Sequence, residues 1–293
     1  MGYLLAVLAV FLWSLNPVIS NYFASSLAPL EMAFGRWLIA GIILIILARR
    51  DLWQNRRWFT AHIGYLLALA VSGMVITNTL IYYAGHTASA INMSLLNTLG
   101  PVFLLLLSHF ILQTAITGRQ ISGLLVAFVG VLTIIVNGDF LALSKIKLVR
   151  GDFIMLINAF CFAVYSLLQT KRPPEISQTS LLAASAVVGA GILFVLMLLF
   201  VPEAQFAELR PADYGVFVYL GIFNSVLAYL SWNTALHKLG NIKTAVVYYA
   251  LPLFSTAEAW IILGERLHLP QIIGGTMIIA GIAWANFAPS VKA

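Results

Sequence analysis

Asn97-Thr98-Leu99-Gly100-Pro101 lies inside one long apolar run, and Tyr248-Tyr249-Ala250-Leu251-Pro252 lies inside another. The two prolines stand 151 residues apart. At matching distances after each come Gln120, Gly123 and Gly130 in the first half and Gln271, Gly274 and Gly281 in the second. Gly64/Gly215 and His86/His237 keep the same offset. An ungapped register of residues 64–130 against 215–281 is an internal repeat. One unit is written twice, and the chemistry is expected where the two copies face each other.

Composition fixes the solvent. Of 293 residues, 61% are hydrophobic and 9% charged, with a mean hydropathy of +0.97. A soluble globular chain carries about 25% charged residues, so no water-facing shell can be built from this one. A polytopic membrane protein in contact with the lipid bilayer is expected. The net charge of +6 is spread over short loops and does not point to nucleic acid. The single Cys161 excludes an internal disulfide. Residues 2–24 lack a basic leader and a small-residue cleavage site, so a retained first span is expected.

A span needs about 20 apolar residues. Ten stretches fit: 2–24, 29–48, 62–83, 88–112, 118–137, 151–171, 178–201, 212–236, 241–263 and 269–288. The fold class is therefore an all-α integral membrane protein with ten transmembrane helices in two five-helix repeats, 1–137 and 151–293, joined by 138–150. Five is odd, so the second repeat enters from the opposite side and the repeats are inverted. The positive-inside rule orients them. With the N-terminus inside, the inner loops hold Arg49, Arg50, Arg56, Arg57, Arg119, Lys171, Arg172, Lys238, Lys243 and Lys292. The outer loops hold only Lys145, Lys147, Arg150, Arg210 and Arg266. Both termini are expected in the cytoplasm. Gly123, Gly130, Gly274 and Gly281 have the spacing that lets helix backbones approach closely in lipid.

Pro17, Pro101 and Pro252 interrupt spans near their middles. A proline cannot donate to the carbonyl four residues back, and in hydrocarbon that carbonyl needs protein, water or a ligand. Polar and aromatic residues gather on the same spans: Trp13, Ser14 and Asn16; Asn78 and Tyr82; Asn92, Ser94, Asn97 and Thr98. The second half supplies Asn158, Tyr165 and Gln169; Asn224, Ser225, Tyr229 and Trp232; Tyr248, Tyr249, Ser255 and Thr256. These spans correspond under the repeat, so a ring around one central cavity is expected. Trp13, Asn16, Asn78, Asn97, Tyr165, Asn224, Tyr229, Tyr248 and Tyr249 are its candidate solute-binding residues. Asn and Ser hydrogen-bond a solute, while Tyr and Trp give flat walls with a polar tip. Tyr82, Tyr83 and Trp232 equally suit an aromatic belt at the membrane surface.

Charges inside spans are costly and therefore informative. Arg36 on the second span and Glu258 on the ninth fall at matching depths, which allows a gating charge pair. The alternatives are Arg36 holding a substrate carboxylate and Glu258 serving as a proton or cation site. Glu31 opens the second span, where a negative charge suits the helix dipole. No phosphate loop, zinc motif or nucleophile elbow occurs, so no catalytic residue, metal or cofactor is assigned and no enzyme is expected.

Phe11-Leu12-Trp13-Ser14-Leu15-Asn16, Arg36, the mid-span Pro101 and Pro252, and Gly264-Glu265-Arg266-Leu267 leading to Gln271, Gly274 and Gly281 resemble the drug/metabolite transporter superfamily. The branch they resemble is the group of ten-span exporters with two EamA repeats. That resemblance implies a multi-pass carrier of the bacterial inner membrane that exports small organic solutes by alternating access. Amino-acid and aromatic amino-acid exporters are the nearest analogy. The first half departs from the pattern, with Gln113-Thr114-Ala115-Ile116 where the second has Gly-Glu-Arg-Leu. The two gates are then not equivalent. Amino acids lead as cargo. Organic cations or drugs are the alternative, and a non-transporting scaffold or lipid-handling protein a third. Monomer and homodimer both remain open.

Overall fold

The computed structural model describes residues 1–23, 25, 27–88, 93, 96–141, 149–201, 211–263 and 268–286. Asn92, Ser94, the side chain of Thr256, residues 264–267, and the loop and tail cations Lys145, Lys147, Arg210 and Lys292 lie outside them. The described chain is helical, with no strand among those residues.

The first span breaks into α1 (Gly2–Trp13) and α2 (Asn16–Phe23). After it come α3 (Pro29–Gln54) and the short α4 (Arg56–Ala61). The third span runs as α5 (Ile63–Leu69), a π-helical segment Ala70–Ile76, and α6 (Thr77–Gly85). The first half closes with α7 (Gly100–Leu112) and α8 (Gly118–Ile135). The second half opens with α9 (Arg150–Gln169) and α10 (Gln178–Phe200). Next are α11 (Pro211–Tyr219), a π-helical segment Leu220–Leu227 and α12 (Ala228–Leu239). Then α13 (Asn241–Val247), a 3-10 turn Tyr248–Ala250 and α14 (Leu251–Leu263) precede α15 (Leu269–Asn286).

Among the described residues, seven helical stretches are long and apolar enough to cross a membrane: Gly2–Ser20, Pro29–Gln54, Ile63–Gly85, Gly118–Ile135, Arg150–Gln169, Gln178–Phe200 and Tyr214–Leu239. The other three expected spans depart for identifiable reasons. In the fourth, residues 93, 96 and 97 are helical and a turn at 98–99 precedes the shorter apolar helix Gly100–Leu112. The ninth is divided by the 3-10 turn. The tenth is a shorter apolar helix, Leu269–Ala285.

The prolines explain the breaks. Pro17, Pro101 and Pro252 are each the second residue of a helix. A first-turn position is where the missing N–H costs least. They restart helices and do not bend a continuous one. At the first break, the carbonyl of Leu12 accepts Asn224 Nδ2 at 2.7 Å and Tyr219 OH at 3.1 Å. The carbonyl of Ser14 accepts Ser255 Oγ at 2.9 Å. Neighbouring helices thus supply the partners that hydrocarbon cannot.

Two contacts relate the halves. α8 and α15 pack antiparallel and close, because glycines meet across them. A Cβ on Gly123 would stand 2.7 Å from the Gly281 carbonyl oxygen, and one on Gly130 would stand 2.7 Å from that of Gly274. Exchanging the halves by the 151-residue offset turns one contact into the other. At the centre, Asn78 Nδ2 donates to Tyr229 OH at 3.2 Å, a pair itself 151 residues apart. The helix starts of this pair are alike too. The N–H of Thr117 donates to Gln120 Oε1 and that of His268 to Gln271 Oε1, both at 2.9 Å. Such reciprocal caps serve amides that have no partner in the first turn.

The main core spans both halves and is dense in aromatics, with Trp37, Tyr82, Tyr165, Tyr229 and Trp232 all buried. Tyr82 and Trp232 therefore belong to the interior and not to a surface belt. A smaller cluster, including Ala127, Val131, Tyr249 and Ile278, lies along α8 and α15. Outward apolar side chains such as Ile46, Leu199 and Phe200 are exposed, as a lipid-facing surface requires.

Candidate functional site

The helix breaks and the π-helical segments converge on a cavity of about 30 Å³. Trp13 and Asn16 reach it from the first break, Asn97 from the turn before α7, and Tyr248 and Leu251 from the ninth span. Thr77, Asn78 and Ile81 come from α6, Asn158 and Phe162 from α9, Tyr229 from α12 and Arg36 from α3. This volume holds about two water molecules. That is less than the volume of an amino acid.

One wall is an aromatic cage. The Trp13 ring meets Phe162 and Tyr229 edge-on, each at 5.3 Å between centroids, with Trp232 at 5.6 Å and Tyr248 at 6.3 Å. Trp232 Nε1 donates to Ser166 Oγ at 3.0 Å, and Trp13 Nε1 to the Asn224 carbonyl at 2.9 Å. The polar edges of both indoles are thereby spent, and their faces remain for packing. Offset and edge-on pairs of this kind add about 0.5–1.5 kcal/mol each beyond area burial, so the cage is rigid.

Beside the cage lies a polar wall that carries a charge, and Trp13 Nε1 and Arg36 Nη2 share the Asn224 carbonyl. Arg36 is 1% exposed. Its Nε donates to Ser225 Oγ at 2.7 Å, and Nη2 to the Asn224 carbonyl at 3.1 Å and to Asn224 Oδ1 at 2.7 Å. Nη1 reaches Tyr82 OH at 3.3 Å. All four acceptors are neutral. The Trp37 ring lies 5.9 Å from the guanidinium carbon. The expected pair with Glu258 is not formed: Glu258 Oε1 accepts from Ser14 Oγ at 2.5 Å. The break between α1 and α2 and the π-helical Leu220–Leu227 come between the two charges, because Ser14 and Asn224 are the better-placed partners. Glu258 does not line the cavity.

Open amides complete that wall. Asn16 is 8% exposed, and its Oδ1 has no partner among the described residues. Asn78 Nδ2 is engaged by the carbonyls of Gly73 at 2.8 Å and Met74 at 3.0 Å. Tyr229 OH also donates to the Gly73 carbonyl, at 2.8 Å. The π-helical segments free these carbonyls from the usual ladder, and the site's own side chains take them up.

Six of the nine expected solute-binding residues line the cavity: Trp13, Asn16, Asn78, Asn97, Tyr229 and Tyr248. The other three do not. Tyr165 stands behind the wall, edge-on to Tyr229 at 5.5 Å, and its OH accepts from Asn233 Nδ2 at 2.7 Å. Asn224 holds Arg36. Tyr249 points away into the α8–α15 cluster. It neighbours Tyr248 in sequence, and successive residues of a helical turn face different ways. Thr77, Ile81, Asn158, Phe162 and Leu251 are lining residues outside the expected set. Asn158 had a signal, as the amide of an apolar span, and it donates to the Thr77 carbonyl. Phe162 had none, being one of 18 phenylalanines.

The fold and the sequence have known counterparts. A protein of known crystal structure superimposes with a TM-score of 0.76 at 17% identity, covering 97% of this chain and 96% of its own, which shows a shared fold. The Bacillus subtilis (strain 168) protein called uncharacterized transporter YyaM is 25% identical over 269 residues, 92% of this chain and 88% of that one. A Salmonella typhimurium protein named probable amino-acid metabolite efflux pump is 25% identical over 289 residues, 95% and 92% of the respective chains. The EamA-like transporter family is matched over residues 1–136 and 149–287. With only the joining segment and the last few residues outside that match, the chain belongs to the EamA-like transporter family.

Proposed function

We propose that this membrane transporter exports small organic solutes, amino acids and aromatic ones foremost, by alternating access around the central cavity. The observation that carries this is the cavity itself. It lies where broken helices of both halves meet, and joins an aromatic cage to a buried guanidinium and open amides. Broken helices around a mid-membrane site are a recurrent transporter device. The name of the Salmonella typhimurium relative supports amino-acid cargo. Organic cations fit less well, because the charged residue on the cavity wall is Arg36 and Glu258 stands elsewhere.

The same proposal covers the architecture. Ten spans form two inverted five-helix repeats, residues 1–137 and 151–293, with both termini in the cytoplasm of a bacterial inner membrane. The antiparallel packing of α8 on α15 supports inversion, since repeats of like orientation would make equivalent helices parallel. Two separate family matches, 1–136 and 149–287, support the repeat boundaries.

The test is uptake by proteoliposomes of purified protein, against radiolabelled aromatic and aliphatic amino acids and a quaternary ammonium. Saturable amino-acid flux that Tyr248→Ala abolishes is expected. Flux of the ammonium alone would replace amino acids as the cargo.

A further inference from the structure

We infer that the cargo's carboxylate is its obligatory group, held by Arg36, and that the site accepts an aromatic or branched monocarboxylate without an amino group. This rests on the solute-carrier proposal and narrows it.

The argument begins with charge. Arg36 is buried and has no carboxylate partner among the described residues, because its acceptors are Ser225, Asn224 and Tyr82. A guanidinium at membrane depth costs about 3 kcal/mol or more when uncompensated. The protein retains that cost at the cavity wall. A guanidinium has five N–H groups. Four hydrogen bonds are formed, and the weakest, at 3.3 Å, is on Nη1. One N–H of Nη1 is left over, on the residue that lines the cavity. An incoming carboxylate supplies the missing negative charge and a charge-assisted hydrogen bond.

The rest of the wall has no place for a second charge. No Asp or Glu lines the cavity among the described residues. A solute ammonium would meet neutral amides and ring faces, whereas a carboxylate meets a formal positive charge. Bound monocarboxylate and Arg36 sum to zero; bound amine and Arg36 sum to two positive charges in a low-dielectric site. The amine is thus excluded, and the amino group of an amino acid is tolerated without being required.

Shape assigns the other end of the cargo. A second cavity of about 10 Å³ adjoins the first, sharing Phe162 and Tyr248 with it and closed by Leu104, Ala163 and Trp232. Arg36 and the amides are not part of its wall. Phe162 and Tyr248 are common to both linings, so displacement of these rings would join the space beside Arg36 to an apolar one, which matches a carboxylate joined to an aromatic or branched apolar body.

The test compares three probes of one skeleton in wild-type proteoliposomes: phenylpyruvate, phenylalanine and phenethylamine. Saturable flux of phenylpyruvate at least equal to that of phenylalanine, with none of phenethylamine, is the expected result. Arg36→Gln should lower flux of both acids by about tenfold or more, the size expected for losing a charge-assisted hydrogen bond, and Arg36→Lys should restore part of it. Flux of phenethylamine equal to the acids, or of phenylalanine without phenylpyruvate, would overturn the inference and leave a working carrier. A folded Arg36→Gln protein with unchanged acid flux would remove Arg36 from the role. If none of the three probes moves, the carrier proposal fails and the inference with it. The wild-type comparison decides the case even if Arg36→Gln does not fold.

Discussion

Two adjacent tyrosines separate site from scaffold. Tyr248 lines the cavity and meets Trp13, Phe162 and Trp232, while Tyr249 is fully buried and its OH has no partner among the described residues. Tyr248→Ala should abolish flux and cost about 3–5 kcal/mol, the range for removing a large aromatic from a core. Tyr249→Phe should leave flux unchanged and stability equal or slightly higher, since it deletes an unsatisfied buried group. Transport and thermal unfolding of the same two preparations check both. Asn224 offers a sharper change. Asn224→Asp puts a carboxylate where an amide oxygen stands 2.7 Å from Arg36 Nη2. The guanidinium then has an internal counterion, while the Leu12 carbonyl loses its Asn224 donor and keeps Tyr219 OH; stability should fall, and the folded protein should show an apparent KM for a carboxylate solute raised at least tenfold. An unchanged KM would mean that Arg36 does not meet the solute. The sequence made much of this wall legible. Trp13, Asn16, Asn97 and Tyr248 are polar or aromatic residues within a few positions of a mid-span proline, which is rare enough to notice. Phe162 carries no such mark, and the direction of Tyr249 depends on a 3-10 turn that no residue type announces.

Helices built from small residues have consequences of their own. On α8 and α15 the backbones touch, so a side chain has nowhere to go at four positions. Gly130→Leu should destabilise the protein by about 1–3 kcal/mol or more, because its Cβ alone would stand 2.7 Å from the Gly274 carbonyl oxygen. Gly191→Ala is the control, as nothing lies within 4 Å of its added Cβ. Unequal melting temperatures for these variants are expected. Equal ones would dissolve the close packing. The π-helical segments carry a second prediction. An added Cβ on Gly73 would come within 2.2 Å of the Tyr165 ring, which is held between Tyr229 and Asn233. Gly73→Ala should therefore displace Tyr165 and reduce flux even though no lining residue has changed. The spacing of the four glycines foretold the first contact. Nothing in Ala70–Ile76 or Leu220–Leu227 foretold a π-helix, because an apolar run is compatible with either hydrogen-bond pattern. The prolines located the breaks correctly, but their effect was to begin new helices. That distinction depends on which neighbouring side chains satisfy the loose carbonyls.

Across the whole molecule, a cavity of about 30 Å³ lined from both halves is too small for an amino acid, so its lining side chains must shift to admit one. The contacts Gly123–Gly281 and Gly130–Gly274 hold α8 against α15 away from the cavity. The helical multi-span class and the family were legible from composition and from the motifs around Trp13, Arg36, Pro101 and Pro252. The cargo was not, because substrate chemistry depends on which charges find partners. Arg36 and Glu258 fell at similar depths in the sequence, and only their neighbours Asn224 and Ser14 separate them. The central claim is that solute passes through this cavity. Asn97 lines it and makes no side-chain hydrogen bond among the described residues, so it can be replaced with little disturbance. In a Cys161→Ser background, Asn97→Cys would be labelled with a small thiol reagent in proteoliposomes, and phenylalanine counterflow measured before and after. Labelling should stop counterflow, and phenylalanine present during labelling should slow the modification. Full counterflow through quantitatively labelled protein would contradict a route through this cavity.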